Sequence, residues 1–128
     1  MRILLDTCTF LWIIADAPEL SARTRELFVD PANDVFLSSV STWEISIKYT
    51  LGRLLLPESP DRFIPTQREL HGVEALPLEE SATLHLVRLP EFHKDPFDRM
   101  LICQAMIHGM VIMTPDELIT QYPVRSTW

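Results

Sequence analysis

Four acidic side chains stand where apolar runs of the sequence end or where the next helix begins: Asp6, Glu44, Asp98 and Asp116. Asp6 follows Ile3 to Leu5 directly, and Asp116 lies just beyond Val111 to Met113. In a parallel α/β sheet such positions share one edge, and ligands bind at that edge. Carboxylates gathered there repel one another, and hard divalent cations are the usual partners of such oxygen ligands. The pattern therefore favours Mg²⁺- or Mn²⁺-dependent phosphodiester chemistry.

The segments that must position these carboxylates alternate between strand and helix. Short apolar runs predict strands at Arg2 to Leu5, Val35 to Leu37, Val73 to Leu76 and Val111 to Met113. A last strand is predicted near Val124. Capping residues, glycines and prolines bound the helical runs, which cover Thr9 to Ala15, Ser21 to Val29, Ser41 to Leu51, Glu79 to Leu89 and Phe97 to His108, with one more ending near His71 and a short turn from Asp116. This alternation predicts an α/β fold with a parallel sheet covered by helices. The proline-rich stretch from Pro57 to Pro65 is interpreted as a loop.

Length and composition fit one domain, which we expect to span residues 1–128. Hydrophobic residues make up 47% of the chain, but no apolar stretch approaches the ~18 residues that a membrane span requires. We interpret the N-terminus as a strand and not as a signal peptide, which favours a cytoplasmic protein with no membrane partner. Cys8 and Cys103 are expected to be reduced, buried packing residues.

The formal net charge of −7 argues against nucleic-acid binding through a broad basic surface. The 11 lysines and arginines are scattered along the chain. Any nucleic-acid role must therefore depend on a local site and its metal. The alternative is a basic partner that covers the acidic face.

A structural role, such as helix capping, could by itself explain why each of these carboxylates is present at its position. Asp6 and Asp116 are good N-caps for the helices that follow them. Ser41 and Glu44 have the Ser-x-x-Glu spacing of a capping box. Glu44 and Lys48 can form an i, i+4 ion pair in the favourable orientation. These roles are compatible with a shared site, and the convergence of four acids on one sheet edge favours the functional interpretation.

Two aspartates, Asp95 and Asp98, flank Pro96 at the predicted start of a helix. One of them is expected to be the N-cap, because proline favours the first helical position. The other then lies in the first turn, where a negative charge suits the helix dipole. Asp98 is the better candidate for the site, because it begins the apolar stripe of Leu101, Ile102 and Ala105.

Other catalytic schemes fit the sequence less well. The four histidines lie near helix ends or in loops, without an evident serine or cysteine partner. Three glycines do not form a phosphate-binding loop. Trp12, Trp43 and Phe97 are expected to be core residues and not base-stacking platforms.

Four longer motifs carry a family resemblance: DTCTFLW at Asp6 to Trp12, SVSTWEISIK at Ser39 to Lys48, HKDPFDRMLICQA at His93 to Ala105, and VIMTPD at Val111 to Asp116. In this order and at these spacings they resemble PIN-domain ribonucleases, in particular the VapC-type toxins of bacterial toxin–antitoxin pairs. The resemblance spans nearly the whole chain, and HKDPFDR is its most specific part. One departure is Cys8, where close relatives often have His, so no role is carried over to that position.

The resemblance implies a three-layer α/β/α PIN-like domain with a mostly parallel sheet of four or five strands. It implies a catalytic and metal-binding quartet for Mg²⁺ or Mn²⁺, formed by Asp6, Glu44, Asp98 and Asp116. Thr7 and Thr114 match polar positions that shape this site, and Asp95 has a secondary role. Beside the site, Arg99 and Lys94 are candidate contacts to the RNA backbone, and a simple solvated charge is the alternative interpretation of each. The implied reaction is hydrolysis of RNA to 5′-phosphate and 3′-hydroxyl ends by activated water. The implied partners are a small antitoxin and a second copy of the chain in a homodimer.

Of four other interpretations, two require residues that the sequence lacks, and the other two assign a different function to the same acidic site. A phosphatase of the haloacid-dehalogenase type would use Asp6 as nucleophile, with a second Asp where Cys8 stands. A phospho-receiver domain would need an Asp after the third strand, where Pro77 stands, and a Lys after the fifth. A housekeeping RNA-processing nuclease and a PIN domain that only binds partners stay open. The intact quartet argues against the second of these.

Overall fold

Strands and helices alternate along residues 1–128, all of which the computed structural model describes. The strands are β1 (Arg2–Leu5), β2 (Asp34–Ser38), β3 (Glu74–Leu76), β4 (Val111–Met113) and β5 (Ser126–Thr127). The helices are α1 (Thr7–Ala15), α2 (Ala22–Val29), α3 (Ser39–Thr50), α4 (Pro60–Leu70), α5 (Glu80–His85), α6 (Pro96–His108) and α7 (Glu117–Thr120). None of these helices combines the length and the apolar character that crossing a bilayer demands.

The five strands form one sheet in the order β3-β2-β1-β4-β5. Every neighbouring pair is parallel, so the predicted sheet is confirmed and is parallel throughout. β1 is the central strand, and Leu4 is in register with Phe36 on one side and Ile112 on the other. Between β3 and β4 the chain crosses from one side of β1 to the other. Such a reversal of strand order opens a crevice at the carboxyl ends of the strands.

Two hydrophobic cores lie on opposite faces of the sheet, because successive side chains of a strand point to opposite faces. From β1, Leu4 belongs to the core that includes Leu101 and Ile102 of α6. Ile3 and Leu5 belong to the other core, which contains buried residues of α1, α3 and α4, namely Phe10, Ile13, Ile45, Phe63 and Ile64. The predicted three-layer α/β/α arrangement is therefore confirmed.

The capping-box interpretation of Ser41 is wrong, because α3 begins two residues earlier than predicted. Ser38 is the N-cap, and its hydroxyl oxygen accepts a hydrogen bond from Val40 N at 2.9 Å. β2 leads directly into α3 without a loop, so the last strand residue, Ser38, occupies the N-cap position, and serine is a favourable residue there. Ser41 is left inside the helix, fully buried, and free to bond to another element.

The prediction of a loop as far as Pro65 is also wrong, because α4 begins at Pro60 and contains Pro65. Proline is favourable at the first position of a helix, where its missing N–H would have no partner. At Pro65, inside the helix, the missing N–H removes one hydrogen bond of the helix. Phe63 and Ile64 are buried in the core, and their packing holds the helix in place.

A buried polar contact fixes α6 against the sheet edge. The Ser38 hydroxyl, at the end of β2, bonds to Gln104 Oε1 of α6. Gln104 Nε2 donates to the carbonyl oxygen of Pro77, just beyond β3, at 3.1 Å. Ser38 and Gln104 are both fully buried. A buried polar group is costly without a partner, so this link favours one position of α6 and of the carboxylate in its first turn.

Candidate active site

Asp6 lies at the carboxyl end of the central strand, beside Thr114 at the end of β4. Its Oδ1 accepts a hydrogen bond from Thr9 N at 2.7 Å and so caps α1. Its Oδ2 accepts a hydrogen bond from the Thr114 hydroxyl. Only 6% of the residue is exposed. Burial raises the pKa of the Asp6 carboxyl, the bonds from Thr114 and Thr9 oppose this, and the charge of Asp116 raises the pKa further.

Glu44 is the second buried carboxylate, 5% exposed, and it reaches α1 from α3. The Thr7 hydroxyl donates to Glu44 Oε1 at 2.7 Å. Because a carboxylate only accepts, the Ser41 hydroxyl must donate in the 2.9 Å contact between Thr7 and Ser41. Lys48 Nζ lies 2.5 Å from Glu44 Oε2, which confirms the predicted ion pair. The hydrogen bond to Glu44 raises the pKa of Lys48.

Asp98 lies in the first turn of α6, and Asp95 is the N-cap of that helix. The Asp95 side chain accepts hydrogen bonds from Phe97 N at 2.9 Å and Asp98 N at 3.0 Å. The prediction that one of the two aspartates caps the helix is thus confirmed. Asp98 Oδ2 instead lies 3.0 Å from Nε2 of His93. Leu101, Ile102 and Ala105 are buried below it, as the apolar stripe predicted.

Asp116 borders the crevice from the end of β4. Its Oδ1 accepts a hydrogen bond from Leu118 N at 2.9 Å, so it caps α7 as predicted. Its backbone N–H donates to the Thr114 hydroxyl oxygen at 3.1 Å. Together with burial, which is the main cause in both, the charge of Asp116 raises the pKa of Asp6 and of Asp98. Asp116 therefore acts electrostatically on two other members of the quartet.

The arrangement brings the four carboxylates to one edge without closing them around a metal position. No three His, Cys, Asp or Glu side chains converge closely enough to hold an ion. The donor chemistry nevertheless suits a hard cation, since all four groups offer carboxylate oxygens. Oδ1 of Asp98 and Oδ2 of Asp116 accept no hydrogen bond from the protein, whereas the other oxygen of each group does.

Cys8 is exposed, so the prediction that it is a buried packing residue is wrong. It lies in the first turn of α1, two residues after Asp6. Partial burial and the charges of Asp6, Glu44 and Asp98 raise the pKa of its thiol. Three members of the quartet therefore act electrostatically on one side chain of α1. Cys103 is buried, as predicted.

Trp43 is 58% exposed, so its assignment to the core is wrong. Its ring packs edge-on against Phe97, with the centroids 5.1 Å apart, and Phe97 is only partly buried. Trp12 is also partly buried and packs edge-on against Trp128 at 5.8 Å. Trp43 on α3 and Phe97 on α6 thus form a partly exposed aromatic pair. In the sequence they directly precede Glu44 and Asp98.

His93 and Tyr122 were not predicted to belong to the site. His93 contacts Asp98 directly, and its Nδ1 lies 2.8 Å from the Tyr122 hydroxyl. His93 could have been noticed from its place in the HKDPFD motif, five residues before Asp98. Tyr122 is 29 residues away from His93, and no sequence pattern connects them. Nη1 of Arg99 donates to the carbonyl oxygen of Pro90 at 2.8 Å and to the Tyr122 hydroxyl at 3.1 Å.

Without metal, we expect the stability that depends on Asp98 to fall as the pH rises from about 4 to about 7. Burial is the main cause that raises the pKa of Asp98 from 3.8 to about 6; the His93 bond opposes it, and Asp95 and Asp116 add to it. Between these values the folded state binds more protons than the unfolded state, so its free energy of unfolding decreases with pH.

The Asp98→Asn variant tests this expectation, because it removes the titrating group and keeps the shape. Its stability relative to wild type should increase over this pH range by on the order of 1 kcal/mol, after allowance for partial solvent screening. Urea denaturation at several pH values measures the difference. Asp34→Asn, at an exposed position that starts β2, is the control. A difference between Asp98→Asn and wild type that is the same at pH 4 and pH 7 would contradict the raised pKa.

Comparison with known proteins connects this geometry to a family. The sequence pattern of the PIN domain matches residues 3–124. Ribonuclease VapC16 from Mycobacterium tuberculosis is 35% identical over 72 residues. That match covers 53% of this chain and 51% of the relative, so the chain spans about half the length of the protein it matches.

Solved structures share the fold over nearly the full length of the chain. VapBC2 from Rickettsia felis, bound to a DNA fragment from its promoter, has a TM-score of 0.72 at 15% identity and covers 99% of this chain and 98% of its own. DNA-bound VapBC from Salmonella typhimurium has a TM-score of 0.69 at 21% identity, covering 99% and 97%. VapBC-1 from nontypeable Haemophilus influenzae has a TM-score of 0.66 at 19% identity, covering 99% and 97%. Since the family pattern extends over almost the whole sheet and its acidic edge, this chain belongs to the PIN domain family.

Proposed function

We propose that this chain is a metal-dependent endoribonuclease and the toxin of a toxin–antitoxin pair. The observation that carries the proposal is the pair of buried carboxylates, Asp6 and Glu44, each bonded to a threonine at the carboxyl edge of the sheet. Two further acids, Asp98 and Asp116, border the same crevice. The similarity to Ribonuclease VapC16 supports an RNA substrate, and the shared fold of VapBC complexes supports an antitoxin partner.

We infer Mg²⁺ or Mn²⁺ as the cofactor. Asp6, Asp98 and Asp116 would hold it, and Glu44 would bind it directly or through water. Hard divalent cations prefer such oxygen ligands. A bound cation would favour the charged form of Asp6 and Asp98, whose carboxyl pKa values are raised mainly by burial and also by the neighbouring acids. When bound, the ion lowers the pKa of water and offsets negative charge on the scissile phosphate. The net charge of −7 disfavours RNA binding elsewhere on the surface, and the bound cation would provide local positive charge for the RNA phosphates.

The threonines of the site orient the carboxylates. The Thr7 hydroxyl donates to Glu44 and the Thr114 hydroxyl donates to Asp6, so both protons are engaged within the protein. A contact from either threonine to RNA would therefore have to accept a hydrogen bond. The contact of Arg99 with the RNA backbone stays a prediction. It would use guanidinium N–H groups other than those of Nη1, which bond to Pro90 and Tyr122.

The antitoxin is proposed to inhibit the enzyme by inserting an arginine or lysine among the four carboxylates. Charge-assisted hydrogen bonds between such a cation and a carboxylate are among the strongest in proteins. Lys48 already makes a contact of this kind with Glu44. An inserted cation would occupy the position of the metal. The homodimer also stays a prediction, which light scattering of the purified protein tests.

Cleavage mapping tests the nuclease. The purified protein is incubated with total RNA in Mg²⁺ or Mn²⁺, and the ends of the products are sequenced. We expect internal cuts with 5′-phosphate and 3′-hydroxyl ends. Intact RNA under all metal conditions, from a protein that is folded by circular dichroism, would leave a partner-binding PIN domain as the better interpretation.

Controlled expression tests the toxin assignment separately. We expect induction to arrest growth, and co-expression of the adjacent small open reading frame to restore it and to yield a complex that co-purifies. If that protein neither co-purifies nor restores growth while RNA is still cleaved, a housekeeping RNA-processing nuclease replaces the toxin assignment.

A further inference from the structure

The Tyr122 hydroxyl lies at the centre of a hydrogen-bond cluster behind Asp98. Tyr122 is 3% exposed and packs in the core on the α6 side of the sheet. Its oxygen lies 3.1 Å from His93 N, 3.1 Å from Arg99 Nη1 and 2.8 Å from His93 Nδ1. His93 Nε2 in turn lies 3.0 Å from Asp98 Oδ2. One imidazole ring therefore connects a buried hydroxyl to a carboxylate of the crevice.

Counting protons in this cluster determines the tautomer of His93. A tyrosine hydroxyl has one proton to donate and can accept from other donors. The backbone N–H of His93 and Nη1 of Arg99 can only donate, so both donate hydrogen bonds to the hydroxyl oxygen. The hydroxyl proton must then go to His93 Nδ1 at 2.8 Å or to the His93 carbonyl oxygen at 3.4 Å. The shorter contact is the stronger one, so Nδ1 accepts.

The consequence for Asp98 follows directly. If Nδ1 accepts, the ring proton of a neutral imidazole resides on Nε2 and is donated to Asp98 Oδ2. The other tautomer would place a lone pair of Nε2 against the carboxylate, which is repulsive. The correct tautomer thus holds Oδ2 of Asp98 toward the ring. Oδ1 keeps no hydrogen bond within the protein and is free to bind a cation.

We propose that Tyr122 is a positioning residue, which fixes the His93 tautomer and through it the orientation of the Asp98 carboxylate for metal binding. This role rests on the proposed metal-dependent function. Removing a group that holds a metal ligand in this way typically lowers the affinity of the protein for the metal by roughly 10–100-fold. Arg99 supports the same cluster, because its bond to the Tyr122 oxygen occupies an acceptor position and directs the hydroxyl proton toward the ring.

The direct test is the ¹⁵N spectrum of the histidine rings in the metal-free protein at pH 8. His93 is assigned by the loss of its signals in the His93→Gln variant. We expect wild type to show a single neutral tautomer with the proton on Nε2. In Tyr122→Phe, which keeps the ring in the core, we expect the Nδ1-protonated tautomer to gain population. Tyr49→Phe is the matched control, since the Tyr49 hydroxyl makes no hydrogen bond in the protein, and it should leave the spectrum of His93 unchanged.

Metal affinity supplies the second readout, by isothermal titration with Mn²⁺ in the absence of RNA. We expect Tyr122→Phe to weaken binding by roughly 10-fold or more and Tyr49→Phe to leave it unchanged. In a His93→Gln background the amide offers Asp98 a donor that has no tautomer, so Tyr122→Phe should have little further effect. This coupling between positions 93 and 122 distinguishes positioning from a general loss of packing.

Three outcomes would overturn the proposal. The first is a wild-type His93 with its proton on Nδ1. The second is an unchanged Mn²⁺ affinity in Tyr122→Phe, and the third is an equal loss of affinity in the His93→Gln background. If Tyr122→Phe does not fold, the wild-type spectrum still decides the tautomer, and Arg99→Lys repeats the affinity test. If wild type binds no Mn²⁺, the proposed function fails, and the spectra still show whether Tyr122 sets the tautomer.

Discussion

Replacing Asp6 with asparagine should reduce RNA cleavage at least ~100-fold while the protein stays folded. A bound cation contributes several kcal/mol to stabilising charge in the transition state, and each 1.36 kcal/mol corresponds to tenfold in rate. Asp6 lies at the end of the central strand and is the most enclosed aspartate of the quartet. Loss of the Asp6 charge should therefore greatly weaken the binding of the cation. Rates of RNA cleavage in saturating Mn²⁺ measure the effect.

The fold should tolerate this change, because asparagine can make both hydrogen bonds of Asp6. Its amide oxygen can accept from Thr9 N, and asparagine is as good an N-cap as aspartate. The Thr114 hydroxyl can turn and accept from the new amide N–H. Since burial raises the pKa of the Asp6 carboxyl, its charged form is disfavoured in the folded state. The metal-free variant should thus melt at the wild-type temperature or above it.

Asp34→Asn is the matched control for Asp6→Asn. Asp34 is exposed at the start of β2, at the opposite end of the sheet from the acidic crevice. The Asp34→Asn variant changes the net charge by the same amount as Asp6→Asn, so any general effect of charge on RNA binding appears in both variants. We expect Asp34→Asn to cleave RNA at close to the wild-type rate. Full activity of a folded Asp6→Asn protein would remove Asp6 from the mechanism and with it the metal-centred proposal.

Divalent metal should determine both activity and thermal stability. Excess EDTA should abolish RNA cleavage, and added Mn²⁺ or Mg²⁺ should restore it. A ligand that binds only the folded state stabilises it by mass action, by about 2.7 kcal/mol at roughly 100 times its Kd. For a domain of this size that corresponds to a rise in Tm of roughly 10 °C. Differential scanning fluorimetry of the metal-free protein with increasing Mn²⁺ measures this rise.

The metal effect must be separated from general screening of an acidic protein. A concentration of 1 M NaCl screens the net charge of −7 without occupying a specific site. We expect NaCl to raise Tm much less than Mn²⁺ does, and we expect Asp6→Asn to lose most of the response to Mn²⁺. A Tm that responds to NaCl and not to saturating Mn²⁺, or cleavage that survives EDTA, would contradict metal dependence.

The sequence alone determined the fold class and the ends of several elements. Apolar runs as short as Val111 to Met113 mark β4 with its observed bounds, since a strand buried on both faces consists of apolar residues. Gly109 ends α6 in the left-handed conformation, with φ of 63°, which glycine adopts without strain. Asp6, Asp95 and Asp116 cap helices as their positions predicted, because capping depends only on residues two or three positions away.

Contacts between distant segments were decided only by the tertiary structure. Ser41 has the spacing of a capping box, yet it bonds to Thr7, 34 residues earlier, because β1 and β2 are neighbours in the sheet. Burial likewise depends on how elements pack, which is why Cys8 and Trp43 are exposed although both are residues common in cores. His93 and Tyr122 meet across 29 residues only because α6 and the segment after α7 pack on the same face of the sheet. Local patterns specify local hydrogen bonds, whereas the order of strands decides which distant side chains meet.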